Sequence, residues 1–141
     1  MNILFLCTGN SCRSQMAEGW AKKLKDESFH AYSAGVETHG LNERAVTVMK
    51  ESGVDISDNK SKLVSDLPND IEFDYVVTVC GNAKETCPFF PAKSKVVHVG
   101  FDDPPSQTKS MKNENEILDV YRRVRDEIKE FILTLPSALM E

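Results

Sequence analysis

The N-terminal segment constrains the fold more than any other stretch. Ile3-Leu4-Phe5-Leu6 is a continuous apolar run, which predicts a strand buried on both faces, as in a parallel sheet. A turn-like stretch follows, Cys7-Thr8-Gly9-Asn10-Ser11-Cys12. Met16, Ala17, Trp20, Ala21 and Leu24 then recur at spacings of three and four, which predicts a helix. The alternation continues. Phe29 to Ser33 reads as a second strand, closed by Ala34-Gly35. Leu41, Ala45, Val48 and Met49 mark a second helix, with Asn42 near its start and Gly53 as its stop. Phe73 to Val79 reads as a third strand, and Val96, Val97 and Val99 as a fourth, stopped by Gly100. Asn113 with Glu116 caps a last helix, whose apolar stripe is Ile117, Tyr121, Val124, Ile128, Phe131 and Leu135, with Pro136 beyond its end. Strands alternating with helices predict an α/β fold with a parallel sheet and helices on both faces. Ligands of such sheets sit beyond the carboxyl ends of the strands. Cys7 to Arg13, Cys80, and Asp102-Asp103-Pro104 follow the first, third and fourth strands and are expected on one rim.

Composition narrows the partners. A chain of 141 residues is expected to form a single domain, residues 1–141. Seventeen Lys+Arg against 22 Asp+Glu leave a net charge of −5, which argues against nucleic acid or an anionic membrane as the main partner. The longest apolar run, Ile3 to Cys7, is far short of the ~20 residues of a membrane span. Met1-Asn2-Ile3-Leu4 lacks the basic flank and small-residue cleavage site of a signal peptide, so the cytoplasm is the expected compartment, and with nothing suggesting a larger assembly a monomer is expected. Four cysteines in that compartment point to catalysis, redox chemistry or metal binding rather than to structural disulfides.

The segment Cys7-Thr8-Gly9-Asn10-Ser11-Cys12-Arg13-Ser14 separates a cysteine from an arginine by five residues, between a strand and a helix. Small and polar residues let the backbone curl so that successive N–H groups point inward, a nest for an oxyanion. The helix N-terminus adds partial positive charge, and with Arg13 it favours the nucleophilic thiolate at Cys7. Arg13 can hold two oxygens of a tetrahedral oxyanion bidentately, as a lysine could not. Cys7 alone would also suit a buried strand end; the whole pattern points to chemistry. Ser14 fits either a donor to the thiolate or an ordinary first-turn residue. Asp103 suits a general acid, and Pro104 biases its backbone towards the extended region, but Asp-Pro also forms plain turns. Cys80 and Cys87 suit a redox dithiol, buried packing or half of a zinc site. Common zinc spacings are absent, and His30, His39 and His98 form no paired motif, so these histidines read as packing or surface residues and no metal is expected.

Cys7 to Trp20 closely resembles the N-terminus of arsenate reductases with the low-molecular-weight tyrosine phosphatase fold. Tyr32-Ser33-Ala34-Gly35, Glu37-Thr38-His39-Gly40, Gly100-Phe101-Asp102-Asp103-Pro104 and Arg122-Arg123-Val124-Arg125-Asp126-Glu127-Ile128 also match. The resemblance implies a four-stranded parallel sheet flanked by helices, with residues 8–14 (Thr8, Gly9, Asn10, Ser11, Cys12, Arg13 and Ser14) as the oxyanion site. It implies Asp103 as the acid. It also implies that Cys80 and Cys87 stand where thioredoxin-coupled relatives carry a redox pair. The implied cycle begins with Cys7 attacking arsenate. Cys80 then attacks Cys7 and arsenite leaves, Cys87 attacks Cys80, and thioredoxin reduces the Cys80–Cys87 disulfide. No organic cofactor is implied, and Cys12 takes no redox step, its side chain lying behind the cradle. A helix over 81–86 would hold the two cysteine Cα atoms roughly 10 Å apart, beyond the ~4.4–6.8 Å that a disulfide allows, so this segment is expected to change structure in each cycle. Some relatives bind potassium beside the loop through residues matching Asn10, Glu18 and Ser33 plus an aspartate. Here Lys62 stands in the aspartate's place, and its ammonium is expected to take the cation's role and pair with Glu18. A phosphatase, or a non-enzymatic oxyanion-binding redox sensor, would use the same cradle without the full cycle.

Overall fold

The structure, a computed structural model, describes residues 1–68, 70–79 and 95–140. Cys80, Cys87 and the segment between them therefore lie outside the described residues. Four strands form one parallel sheet: β1 (Asn2–Cys7), β2 (His30–Gly35), β3 (Tyr75–Thr78) and β4 (Lys95–His98). Their order is β2-β1-β3-β4, so β1 is central. The chain steps from β1 to one side and then returns to the other. The crevice at that reversal lies beyond the carboxyl end of β1, which is Cys7. The apolar run of β1 is buried from Ile3 to Leu6 because both of its faces are covered.

Helix α1 (Arg13–Leu24) starts directly after the loop, and α2 (Glu43–Glu51) is capped by the Asn42 side chain, which accepts from Ala45 N–H at 3.0 Å. Gly53, at φ 82°, ends α2 with its own N–H bonded to Lys50 O and that of Val54 to Met49 O. The long α4 (Glu114–Leu133) is capped by Asn113, which accepts from Glu116 N–H. Its stripe of Ile117, Tyr121, Val124, Ile128 and Ile132 is buried. Each such side chain contributes about 1.5–3 kcal/mol through burial.

Among the described residues, α1, α2 and α4 gather into one core with Ile3, Phe5 and Val77 of the sheet. Leu4, Leu6 and Val76, on the other side, are covered by Leu67, Val64 and Phe73 around a 3₁₀ turn (Val64–Asp66). Within the described residues, helices cover one face of the sheet and this short turn lies on the other. That turn has no counterpart in the sequence reading, and neither has a short helix after β4. Pro104 opens a single-turn helix, α3 (Pro104–Gln107), with Asp103 extended at φ −89°, ψ 104° just before it.

Candidate active site

Residues from three strand ends meet beyond β1. Cys7, Thr8, Gly9, Ser11, Cys12, Arg13 and Asp103 line a cavity of about 560 Å³, joined by Val36, Glu37, residues 39–42 and Pro105. The Arg13 guanidinium is buried and organises the floor. Its Nη1 donates to Phe101 O at 3.1 Å and Val79 O at 3.3 Å, carbonyls at the ends of β4 and β3. Its Nη2 lies 3.9 Å from Cys7 Sγ and 3.6 Å from Asp103 Oδ1. One planar group thus spans nucleophile, candidate acid and two backbone segments, which no lysine could do. Asp102 turns away to Arg123 at 3.1 Å, so Asp103 is the aspartate at the cavity. The shared rim predicted for the first and fourth strands is present; for the third, the described part ends at Val79.

The loop is held from behind. Asn10 adopts the left-handed region at φ 48° and is fully buried, although its backbone conformation disfavours most side chains. Its amide offsets that cost. Nδ2 donates to Ser14 Oγ at 2.9 Å, while Oδ1 accepts from Gln15 Nε2 and Lys62 N–H, both at 2.9 Å. Gln15 also donates to Lys60 O and accepts from Asn59 Nδ2. The side chains of Asn10 and Ser14, both predicted in the oxyanion site, thus brace the loop. Position 35 has no room for a Cβ, so it requires glycine. A Cβ there would sit 2.7 Å from Thr8 O, 2.9 Å from Asn10 N and 2.9 Å from Glu37 O, all backbone.

Cys12 is buried at the start of α1. Burial, chiefly, and the nearby Asp103 charge push its thiol well above the ordinary range, so it remains a thiol. Behind the loop, the buried Glu18 carboxylate accepts from Ser33 Oγ at 2.5 Å and Lys22 Nζ at 2.7 Å. Lys62 Nζ stands 3.5 Å from Glu18 and 3.3 Å from Ser33 Oγ. The expected Lys62–Glu18 pair is present.

His39 is half exposed, as expected of a surface histidine, but it also stands at the cavity. It lines the cavity, pairs with Glu37 at 2.7 Å, and its ring occupies the space a Cβ on Gly9 would need. Glu37 and His39 follow the carboxyl end of β2. The rule applied to the other three strands would have found them there.

A family model described as low molecular weight phosphotyrosine protein phosphatase matches residues 2–141. The arsenate reductase of Bacillus subtilis (strain 168) is 51% identical over 137 residues, covering 94% of this chain and 95% of that protein. That of Staphylococcus aureus (strain N315) is 49% identical over 129 residues, 90% and 89% of the two. A solved arsenate reductase in its phosphate binding state superposes with a TM-score of 0.75 at 31% identity, covering 95% of each chain. A low molecular weight protein tyrosine phosphatase from T. tengcongensis gives 0.69 at 29% identity, covering 96% and 97%. A match that runs through every strand and helix described above, on a site of this geometry, settles the family: the chain belongs to the low molecular weight phosphotyrosine protein phosphatases.

Proposed function

We propose that this protein is an arsenate reductase that works by cysteine chemistry and is regenerated by thioredoxin. The observation that carries the reading is the convergence of Cys7, Arg13 and Asp103 on one cavity, in a chain half identical to arsenate reductases. Arsenate is tetrahedral and anionic, and the loop N–H groups with Arg13 suit it. The Cys7 thiolate attacks arsenic and forms an S–As bond. An As–O bond breaks, and Asp103 gives its proton to the departing oxygen, which leaves as water. Oxyanion binding competes with the Arg13–Asp103 contact and turns the carboxyl towards that oxygen. Ser14 accepts from Asn10, which leaves its single hydroxyl proton for the thiolate.

Reduction needs two electrons, and Cys80 with Cys87 supply them. The Cys80 thiolate attacks Cys7 Sγ; the S–As electron pair departs with arsenic, which leaves as arsenite, and a Cys7–Cys80 disulfide forms. Cys87 attacks Cys80, frees Cys7 and leaves a Cys80–Cys87 disulfide. The dithiol of thioredoxin reduces that bond. Phosphate has the shape and charge of arsenate, so slow hydrolysis of phosphate monoesters accompanies this geometry. The test is arsenate-dependent NADPH oxidation with thioredoxin and thioredoxin reductase. Turnover that also requires Cys7, Cys80 and Cys87 supports the reading. Phosphate-ester hydrolysis without arsenate turnover would replace it with a phosphatase.

A further inference from the structure

The late arginine-rich segment of α4 takes no part in the chemistry above, yet it fastens both walls of the cavity. Arg122 binds Glu51 through two nitrogens at 2.9 and 2.8 Å, and Arg125 donates to Val48 O and Glu51, so both hold α2. The lead-in to α2 borders the cavity, and Asn42 N–H donates there to Ser11 O at 2.9 Å. Arg123 points the other way. Its Nη2 donates to Asp102 Oδ2 at 3.1 Å and to Gln107 Oε1 at 3.2 Å, and its Nη1 to Glu127 Oε2 at 3.1 Å. Those two Nη2 partners flank Asp103 and α3.

We infer that Arg123 is a positioning residue for the general acid, a clamp that holds the Asp102–Gln107 turn so that the Asp103 carboxyl meets the departing oxygen. Three anchors act on this turn. Arg13 holds Phe101 O from inside the cavity. The Phe101 ring rests on Phe131 of α4 at 6.0 Å. Arg123 supplies the third and grips the turn on both sides of Asp103, through Asp102 and Gln107, while the buried Pro104 and Thr108 seat α3. The backbone bond of Thr108 N–H to Pro104 O closes α3 on itself but ties it to nothing else. A fork is needed because one nitrogen serves two acceptors while the other is braced on Glu127; a lysine ammonium has no such fixed plane. Arg123 touches no reacting atom, and its effect passes through Asp103. The inference therefore rests on Asp103 being the acid.

The test is single-turnover arsenite release with protein in excess over arsenate, read beside steady-state kinetics. Arg123→Gln is expected to slow release about tenfold, within the reach of small misplacements of a catalytic group, with the KM for arsenate unchanged. Asp103→Asn is expected to slow it further, and the double variant to match Asp103→Asn alone, because the clamp has nothing left to position. Arg123→Lys should recover part of the loss. Asp102→Asn, which removes the partner's charge from the other side, should reproduce the defect, and thermal melts should show all variants folded. Equal slowing by Arg123→Gln in both backgrounds, or none in either, would overturn the clamp and leave the acid assignment standing. A full rate in Asp103→Asn would overturn the acid assignment, and the clamp with it.

Discussion

Replacing Lys62 by methionine tests how the anion loop is supported from behind. Lys62 Nζ lies 3.5 Å from a Glu18 carboxylate that is only 5% exposed, and its own side chain is 27% exposed. At an effective dielectric of about 20, that separation corresponds to about 5 kcal/mol of gross attraction. Most of it cancels. The ammonium gives up part of its hydration to sit there, and Lys22, at 2.7 Å, stays to pair with Glu18. The net loss should be about 1–2 kcal/mol, which for a chain of 141 residues lowers Tm by about 3–7 °C. Catalysis should suffer too, because the ammonium, held by Glu18 and by Ser33 Oγ at 3.3 Å, steadies the residue whose backbone N–H holds Asn10 Oδ1. Methionine keeps the stem and the backbone bonds but removes the charge, so the change isolates the ammonium. The assay is a thermal melt with arsenate turnover, in potassium and in sodium at equal ionic strength. With the ammonium already in place, the wild type should not distinguish the two ions. An unchanged Tm in Lys62→Met, or a marked rise in wild-type efficiency with potassium, would refute the reasoning.

Arg13→Lys should weaken protection by arsenate or phosphate about tenfold or more despite the retained charge, measured as oxyanion protection of Cys7 from alkylation. In the same peptide maps, Cys7 should label well before Cys12 at mildly alkaline pH. Burial and the Asp103 charge push the Cys12 thiol up, so raising pH within that range does not yield its thiolate. Gly35→Ala should cost about 2–3 kcal/mol and disturb the loop, because the added Cβ meets three backbone atoms. Gly9→Ala should cost much less, since the His39 ring it meets is half exposed and can swing away; denaturant melts compare the two. Cys80→Ser should abolish arsenite release, whereas Cys87→Ser should allow about one turnover and trap a Cys7–Cys80 disulfide, visible by mass spectrometry.

The elements of the sheet were legible because each strand and helix carries its own period and its own stop. Asn42 and Asn113 cap as their spacing indicated, and Gly53 ends α2 where it was expected. Cys7 and Arg13 stood out by residue type and spacing and Asp103 by the resemblance, and all three line one cavity. The bracing of the loop was not. Gln15 bonds to Asn10, Asn59 and Lys60, which lie near and far along the chain, and no local pattern distinguishes it from any other helical glutamine. His39 was missed because its role comes from the ring's position against Gly9, a contact between two strand ends rather than a motif. The one-turn α3 was hidden because Asp-Pro reads as a turn, and four residues are too few to show a helical period.

These unread contacts share a physical reason. A nest of N–H groups turned inward forces the loop carbonyls outward, and each outward carbonyl must find a donor or lose about 1–3 kcal/mol. Thr8 O takes the N–H groups of Val36 and Glu37, Gly9 O takes that of His39 and the Ser61 hydroxyl, and Ser11 O takes that of Asn42. Asn10 O takes the Gln15 amide. Apart from Gln15 of α1, the residues that satisfy the loop from outside lie in the segments, 36–42 and 60–62, that wall the cavity or carry Lys62. Building the cradle therefore fixes where its walls stand. A substitution in those segments that removes a donor should loosen oxyanion binding even where its side chain never faces the cavity.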